Sequence, residues 1–212
     1  MAKAILGRKI GMTQIFDAEG KAIPVTVVEA GPCTVVQVRT PQQDGYSALQ
    51  VGFEPIRSKL VNKPEGGHFN KAKVAPLRYL REIPADDELA VGSEITVDIF
   101  NEDEYVDVCG TSRGKGFSGS IKRWNFHRGP MGHGSHHHRS PGSLGPTGIS
   151  RVFRGRKLPG QYGNSRVTVQ NLKVVKVDPQ QNLLVIRGAV PGVRGSLLYI
   201  QKAVKKGGAL NA

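Results

Sequence analysis

Apolar and polar residues alternate in short runs along most of the chain, and these runs are rich in Val and Ile. Alternation with a period of two is typical of strands that bury one face, and turn residues bound each run. The pattern predicts ten strands, at residues 4–9, 12–16, 25–30, 34–40, 47–54, 94–100, 105–110, 166–177, 182–188 and 196–204. So many short strands in series predict a mainly β fold, either a closed barrel or a sandwich.

Three connections between these runs contain residues that favour tight turns. They are residues 17–20, the pair Asp44-Gly45, and residues 178–182. Each predicts a hairpin between the strands on either side.

Residues 59–84 interrupt the alternation with polar residues and the pair Gly66-Gly67. Val74, Leu77 and Leu80 are spaced as one face of a helix would be, although Pro76 disfavours a regular helix there. We predict a small α+β insert with a short helix in this region.

The longest interruption spans residues 110–166 and contains 13 glycines, 4 prolines and 11 Lys or Arg residues but no acid. A segment of this length without regular structure is uncommon in a compact domain unless it has its own function. Its few apolar residues cannot offset the entropy of ordering it alone. We predict a long non-globular loop that folds when it binds a partner.

Charge is divided unevenly along the chain, whose net charge is +13. Residues 1–107 contain 16 acidic and 12 basic residues, a net charge of −4, whereas residues 108–212 contain one acidic and 18 basic residues, a net charge of +17. This concentration of positive charge indicates a polyanionic partner, and RNA phosphate supplies negative charge at high density.

The basic side chains of the long loop are candidates for neutralising phosphates. They are Arg113, Lys115, Lys122, Arg123, Arg128, Arg139, Arg151, Arg154, Arg156, Lys157 and Arg166. Rings that lie between them could stack on unpaired bases. They belong to Phe117, Trp124, Phe126, His127, His133, His136, His137, His138 and Phe153. For Trp124 and Phe126, the alternative is a structural role in anchoring the base of the loop to the barrel.

Five of the six histidines lie between His127 and His138, which raises the alternative of a metal site. No Cys, Asp or Glu is nearby, and the surrounding glycines provide no rigid scaffold for tetrahedral ligands. We therefore predict no metal ligands and no cofactor.

The sequence also offers no candidate catalytic residues. The run Gly110-Thr-Ser-Arg-Gly-Lys-Gly has one residue too few between its glycines for a phosphate-binding P-loop, and Gly follows the Lys in place of Ser or Thr. The loop has no carboxylate to act as a general base. We predict that the protein is not an enzyme and has no small-molecule substrate.

Cys33 and Cys109 lie far apart within apolar runs, so we expect two buried thiols in a reducing compartment. Lys3, Arg8 and Lys9 interrupt the stretch where a signal peptide would be apolar, and no run approaches the ~18 apolar residues of a membrane span. We expect a cytoplasmic protein without a membrane partner.

Seven motifs along the chain carry a resemblance to a known family. They are residues 7–16 (GRKIGMTQIF), 114–119 (GKGFSG), 122–126 (KRWNF), 139–143 (RSPGS), 160–164 (GQYGN), 166–170 (RVTVQ) and 188–192 (GAVPG). The chain resembles, essentially end to end, bacterial members of the ribosomal protein L3 family of the large subunit. Arg8, Lys9, Asn125 and Gln161 lie in these motifs and join the candidate rRNA-binding residues.

The resemblance implies a closed, Greek-key-like β-barrel of the translation-protein kind, formed by residues 1–58, 85–112 and 167–212. It implies an α+β insert at residues 59–84 and an rRNA-penetrating loop at residues 113–166 that reaches toward the peptidyl-transferase centre. It also implies binding near the 3′ end of the large-subunit rRNA, a role in nucleating subunit assembly, and neighbours such as large-subunit proteins fourteen and nineteen.

Some bacterial members of the family carry a methylated Gln near the loop tip. Residues 142–151 contain no Gln, so we predict that this modification is absent. Two alternatives stay open on the sequence: an RNA-modifying enzyme with a barrel as its RNA-binding domain, and a His-rich metal-binding module.

Overall fold

The computed structural model describes residues 3–84 and 89–206. Its strands are β1 (Ala4–Phe16), β2 (Ala22–Ala30), β3 (Cys33–Arg39), β4 (Ala48–Pro55), β5 (Leu77–Pro84), β6 (Glu94–Ile95), β7 (Tyr105–Thr111), β8 (Phe117–Ser118), β9 (Gly160–Gln161), β10 (Arg166–Asp178), β11 (Leu183–Arg187) and β12 (Leu197–Lys202). Its helices are α1 (Pro41–Asp44), α2 (Lys63–Ala72) and α3 (Ser120–Trp124), with 3₁₀ turns at Ser58–Leu60, Val97–Ile99 and Thr147–Ile149. No helix within the described ranges has the length and apolar character needed to cross a membrane.

Six strands close into an antiparallel barrel in the order β1-β12-β7-β10-β11-β2. Ile5, Ile200 and Val108 lie opposite one another on three neighbouring strands, and all three side chains are fully buried. Burying an aliphatic side chain of this size contributes about 1.5–3 kcal/mol. The predicted mainly β fold with a closed barrel is confirmed.

A buried carboxylate stabilises an irregularity in the barrel. The register between β10 and β7 shifts between Val169 and Leu172, and Asn171 in this bulge has a φ of 56°. Asp107 of β7 is 2% exposed and accepts a hydrogen bond from the Asn171 backbone N–H at 2.8 Å and another from the Val204 N–H at 3.3 Å. Asp107 thereby connects β7 to the bulge and to the segment after β12.

Strands β3, β4 and β5 and the two-residue strand β6 form a second sheet in the order β5-β4-β3-β6. The family resemblance implies that residues 1–58 and 85–112 belong to the barrel, but the pairing places β3, β4 and β6 of those segments in this sheet instead. Alternation identifies a strand without identifying its partner, because ladder partners can be distant in sequence. The buried side chains of this sheet, such as Val35 and Val51, belong to the same core cluster as the barrel residues.

The helix predicted around Val74, Leu77 and Leu80 is wrong. The helix is α2, which ends where Lys73 adopts a φ of 55°, and it buries Phe69. Residues 77–84 instead form β5, in which Leu80 pairs with Gly52 of β4. The sequence did not predict α2 because the pair Gly66-Gly67 lies within it and Gly has a low helix propensity.

Of the three predicted turns, residues 17–20 and 178–182 are confirmed as hairpin connections, β1–β2 and β10–β11. At Asp44-Gly45 the hairpin β3–β4 is also present, but its connection contains the helical turn α1. The strand predicted at 94–100 ends at Ile95. Val97 and Phe100, three residues apart, are both buried, because a 3₁₀ turn places them on the same side. In a strand, residues three apart would point to opposite faces.

The chain forms two compact units. The barrel unit consists of the described residues within Met1–Thr111 and Arg166–Ala212, and the basic unit consists of Ser112–Ser165. The basic unit contains the short elements β8, α3 and β9, and the rRNA-penetrating loop at 113–166 stays a prediction.

Candidate nucleic-acid interface

The two ends of the basic unit run antiparallel and are joined by backbone hydrogen bonds. The Ser112 N–H donates to the Ser165 carbonyl at 2.9 Å, and the Lys115 N–H donates to the Tyr162 carbonyl at 2.9 Å. Strands β8 and β9 continue this pairing. The Lys115 ammonium also lies 4.5 Å from the centre of the Tyr162 ring, a cation–π contact. These contacts hold the base of the unit together without a carboxylate.

Gly163 permits the tight approach of the two ends. Its φ is 70°, and a Cβ atom built on it would lie 2.1 Å from the Arg113 carbonyl oxygen. A side chain at this position would be excluded both by its backbone conformation and by contact with the opposite chain.

A second set of contacts joins α3 to the returning chain. The indole Nε1 of Trp124 and the Nη1 of Arg123 both donate hydrogen bonds of 2.9 Å to the carbonyl oxygen of Leu158. The Arg123 guanidinium lies 5.0 Å from the Trp124 ring centre, and the Lys157 ammonium lies 5.8 Å from it. We call Arg123, Trp124, Lys157 and Leu158 the tryptophan clamp. Its geometry gives Trp124 a structural role, but the contacts lie within the basic unit and not with the barrel that the sequence alternative named, and 38% of the side chain is exposed.

The outer part of the basic unit has fewer contacts. The Gly129 N–H donates to the His138 carbonyl at 3.0 Å, and the ring Nδ1 of His138 lies 3.0 Å from the Pro130 carbonyl. The Arg156 guanidinium donates to the Ser143 carbonyl. The structure thus brings His138 and Arg156 to backbone carbonyls of their own unit. Within the described chain, no three His, Cys, Asp or Glu side chains are grouped so that they could hold a metal ion.

Most candidate side chains of the basic unit face solvent. The exposed ones are Arg113, Lys115, Lys122, Trp124, Asn125, His127, Arg128, His133, His136, His137, Arg139, Arg151, Arg154, Arg156, Lys157 and Gln161, whereas Arg123 and His138 are half-buried. Only Ser118 and Ser120 are buried in residues 112–165, so this unit has no apolar core. Ten Lys and Arg residues lie in these 54 residues without an acid to offset their repulsion. The basic unit is therefore a dense, accessible array of cations.

Three candidates lie in the barrel unit and are engaged there. Arg8 forms ion pairs with Glu29 at 3.2 Å and Glu54 at 3.8 Å. The Lys9 ammonium donates to two barrel carbonyls, those of Val190 at 3.0 Å and Gly192 at 3.2 Å. The Nε of Arg166 donates to the Cys109 sulfur at 2.9 Å. Arg8 and Lys9 thus have structural contacts that the sequence did not reveal.

The sequence reasoning missed Leu158 and Tyr162. Tyr162 lies within the motif at 160–164, but its role in pairing with Lys115 depends on its backbone as well as its ring. Leu158 acts through its carbonyl oxygen, and no side-chain pattern marks a backbone acceptor.

Comparison with known proteins gives the class of the chain. Residues 84–183 match the sequence profile of the family described as ribosomal protein L3. The large ribosomal subunit protein uL3 of Carboxydothermus hydrogenoformans is 65% identical over 207 residues, which cover 97% of this chain and 99% of the relative. The uL3 proteins of Desulforudis audaxviator and Heliobacterium modesticaldum are 60% and 58% identical, with 97% and 96% of this chain and 97% and 98% of those relatives covered.

These matches define a ribosomal protein, a structural class and not an enzyme. The chain belongs to the ribosomal protein L3 (uL3) family. The resemblance carried by the seven motifs is confirmed, and the family membership leaves no place for the alternative of an RNA-modifying enzyme.

Proposed function

We propose that this chain is a structural constituent of the large ribosomal subunit and binds large-subunit rRNA directly through its basic unit. The names of the relatives, large ribosomal subunit protein uL3, support the first part of this proposal. The exposed, acid-free array of cations in Ser112–Ser165 supports the second part.

The observation that carries the RNA-binding proposal is the combination of high charge with the lack of an apolar core in the basic unit. Like charges repel within a compact segment, and backbone hydrogen bonds alone contribute about 1 kcal/mol each. Phosphates at close spacing would remove this repulsion and release counterions on binding. The rings of His127 and His133, and the exposed part of Trp124, are available for contacts with bases.

The finer assignments rest on the family resemblance. They are a site near the 3′ end of the large-subunit rRNA, a role in nucleating assembly, an approach of the basic unit to the peptidyl-transferase centre, and contacts with proteins fourteen and nineteen. Chemical cross-linking of intact large subunits tests the protein contacts. Cross-links from this chain to other ribosomal proteins, and none to proteins fourteen or nineteen, would contradict them.

The salt dependence of rRNA binding tests the main proposal. If about 8 to 10 phosphates are engaged, log K falls against log salt with a slope of roughly −6 to −9. A nearly flat dependence would overturn the proposal.

A pair of charge-matched variants locates the binding surface. Replacing Arg139, Arg151 and Arg154 of the basic unit with Gln should make the slope of log K against log salt less negative by about 2 to 3, at ~0.7–0.9 per lost contact. The control replaces Lys59, Lys63 and Lys71, three exposed lysines of the barrel unit, with Gln. Equal losses in the two triple variants would show that only net charge matters and would contradict binding through the basic unit.

A further inference from the structure

A cavity of about 500 Å³ lies in the barrel unit, where residues of β1, β7, β10 and β12 meet residues of the edge strand β5. Its polar lining comes from Arg81, Glu82, Thr111, Arg166, Tyr199 and Gln201, and Leu6 and Leu197 add apolar walls. The volume is in the range of small-molecule sites and is much larger than a single water or phosphate requires. None of these residues except Arg166 was a candidate on sequence, because they come from distant parts of the chain.

Among the described residues, the two guanidinium groups that line the cavity have N–H donors left over after their hydrogen bonds within the chain. Arg166 uses its Nε on the Cys109 sulfur, and Arg81 uses Nη1 on the Leu80 carbonyl, which leaves the other guanidinium nitrogens of both without partners among the described residues. The side chains of Tyr199 and Gln201 likewise form no hydrogen bond with the described chain. Burial raises the pKa of the Tyr199 phenol, so its hydroxyl stays protonated and can donate.

Glu82 is the carboxylate that the described residues place in the cavity, and it is already engaged. Glu82 accepts a hydrogen bond from the Tyr46 hydroxyl at 3.0 Å and lies 3.5 Å from the Arg39 Nε. Neither Arg81 nor Arg166 forms an ion pair with a carboxylate of the described residues. Among the described residues, Arg81 and Arg166 therefore have no carboxylate partner in the cavity, and the planar guanidinium fork of each is well suited to a phosphate.

We propose that this cavity binds one unstacked ribonucleotide of the rRNA. Its phosphate lies between Arg81 and Arg166, and its base lies against the ring of Tyr199 and the side chain of Leu197. Gln201 and the Tyr199 hydroxyl are the groups that meet the polar edge of the base or the sugar. Aromatic rings and apolar walls commonly receive single bases that are splayed out of a helix. This inference rests on the proposed binding to rRNA, but it concerns a site in the barrel unit and not in the basic unit.

Binding of the full-length chain to nucleoside 5′-monophosphates, to inorganic phosphate and to large-subunit rRNA tests the proposal. The variants R81Q and R166Q each remove one guanidinium group of the cavity. The control is R187Q, which removes an exposed arginine on barrel strand β11 that does not line the cavity. Y199F removes only a hydroxyl and so tests the site without altering the packing. Thermal unfolding of every variant verifies that it folds.

We expect calorimetry to show that the mononucleotide binds more tightly than phosphate. R81Q and R166Q should each weaken mononucleotide and rRNA binding about tenfold, the loss associated with a hydrogen-bonded charge, while R187Q stays within about twofold of wild type. Equal affinity for mononucleotide and phosphate would overturn the assignment of a base site. Loss of mononucleotide binding with unchanged rRNA affinity would overturn the assignment to RNA. If R81Q behaves as R187Q, the cavity is not a nucleotide site, even when the steep salt dependence of the wild type upholds the proposed function.

Discussion

The indole Nε1 of Trp124 donates a hydrogen bond to the carbonyl oxygen of Leu158, 34 residues further along the chain. Arg123 donates to the same oxygen, so two adjacent side chains of α3 meet at one backbone acceptor. In a unit without an apolar core, such a convergence replaces packing as the source of order. It also fixes the direction in which the chain returns to β9.

Trp124→Phe tests the tryptophan clamp, because it removes the indole N–H and keeps an aromatic ring. We expect proteolysis between Arg113 and Arg166 in the free protein to accelerate about fivefold, in line with a loss of about 1 kcal/mol for one hydrogen bond. The control is Phe117→Leu, at a side chain that is 79% exposed. An unchanged cleavage rate together with weaker RNA binding would instead assign Trp124 to base contact.

Gly163→Ala should open the base of the basic unit. The new methyl group meets the Arg113 carbonyl, and a residue with a Cβ disfavours a φ of 70°. We expect a loss of more than about 1 kcal/mol, seen as faster amide hydrogen exchange at Lys115 and Tyr162. Gly132→Ala is the matched control, since nothing lies within 4 Å of its Cβ position. Equal exchange rates in the two variants would contradict the steric argument.

Asp107→Asn should destabilise the barrel unit. An amide group keeps one acceptor oxygen but turns an NH₂ toward one of the two backbone N–H groups that the carboxylate now satisfies. Leaving a buried donor without a partner costs about 1–3 kcal/mol, which urea unfolding detects as a lower midpoint with an unchanged slope.

Asp103→Asn is the control for Asp107. Asp103 forms an ion pair with Lys173 at 2.8 Å, but its side chain is 78% exposed. Loss of such a surface pair typically costs less than about 1 kcal/mol. A larger effect at Asp103 than at Asp107 would show that the buried carboxylate is not essential to the bulge.

Ionisation of Cys33 should lower the stability of the barrel unit at alkaline pH. Burial raises the pKa of the Cys33 thiol from 9.0 to about 12. The folded state keeps the thiol neutral, whereas the unfolded state ionises above pH 9, so the free energy of unfolding decreases as pH rises from about 9 toward about 12. Cys33→Ala should flatten this decrease in a series of urea titrations. Identical pH profiles of the variant and the wild type would exclude the contribution of Cys33.

Local chemistry was sufficient for much of the barrel. Runs of alternating residues located β2, β7, β10, β11 and β12, and the turn residues at 178–182 predicted the hairpin β10–β11. The strands predicted at 4–9 and 12–16 are one continuous strand, β1. Alternation shows which face of a strand is buried, so it identifies a strand even when the partner strand is unknown. The same reasoning went wrong at residues 74–80, where a spacing that fits a helix belongs to the irregular segment before β5 and to β5 itself.

The candidate site divides in the same way. The sequence predicted the position and charge of the basic segment, because the concentration of Lys and Arg without acids is visible residue by residue. It did not reveal that Arg8 and Lys9 are held by contacts within the barrel, nor that Trp124 shares an acceptor with Arg123. Those facts depend on partners between 21 and 183 residues away.

The sequence by itself determined that the protein is mainly β, that its positive charge is gathered in one acid-free segment, and which family its motifs resemble. Only the tertiary structure decided that β3, β4 and β6 belong to a second sheet and not to the barrel, and that Arg81, Arg166 and Tyr199 line one cavity. The physical reason is that propensity, periodicity and charge are properties of neighbouring residues. Strand pairing, burial of a carboxylate and convergence of donors arise from residues that meet only when the chain has folded.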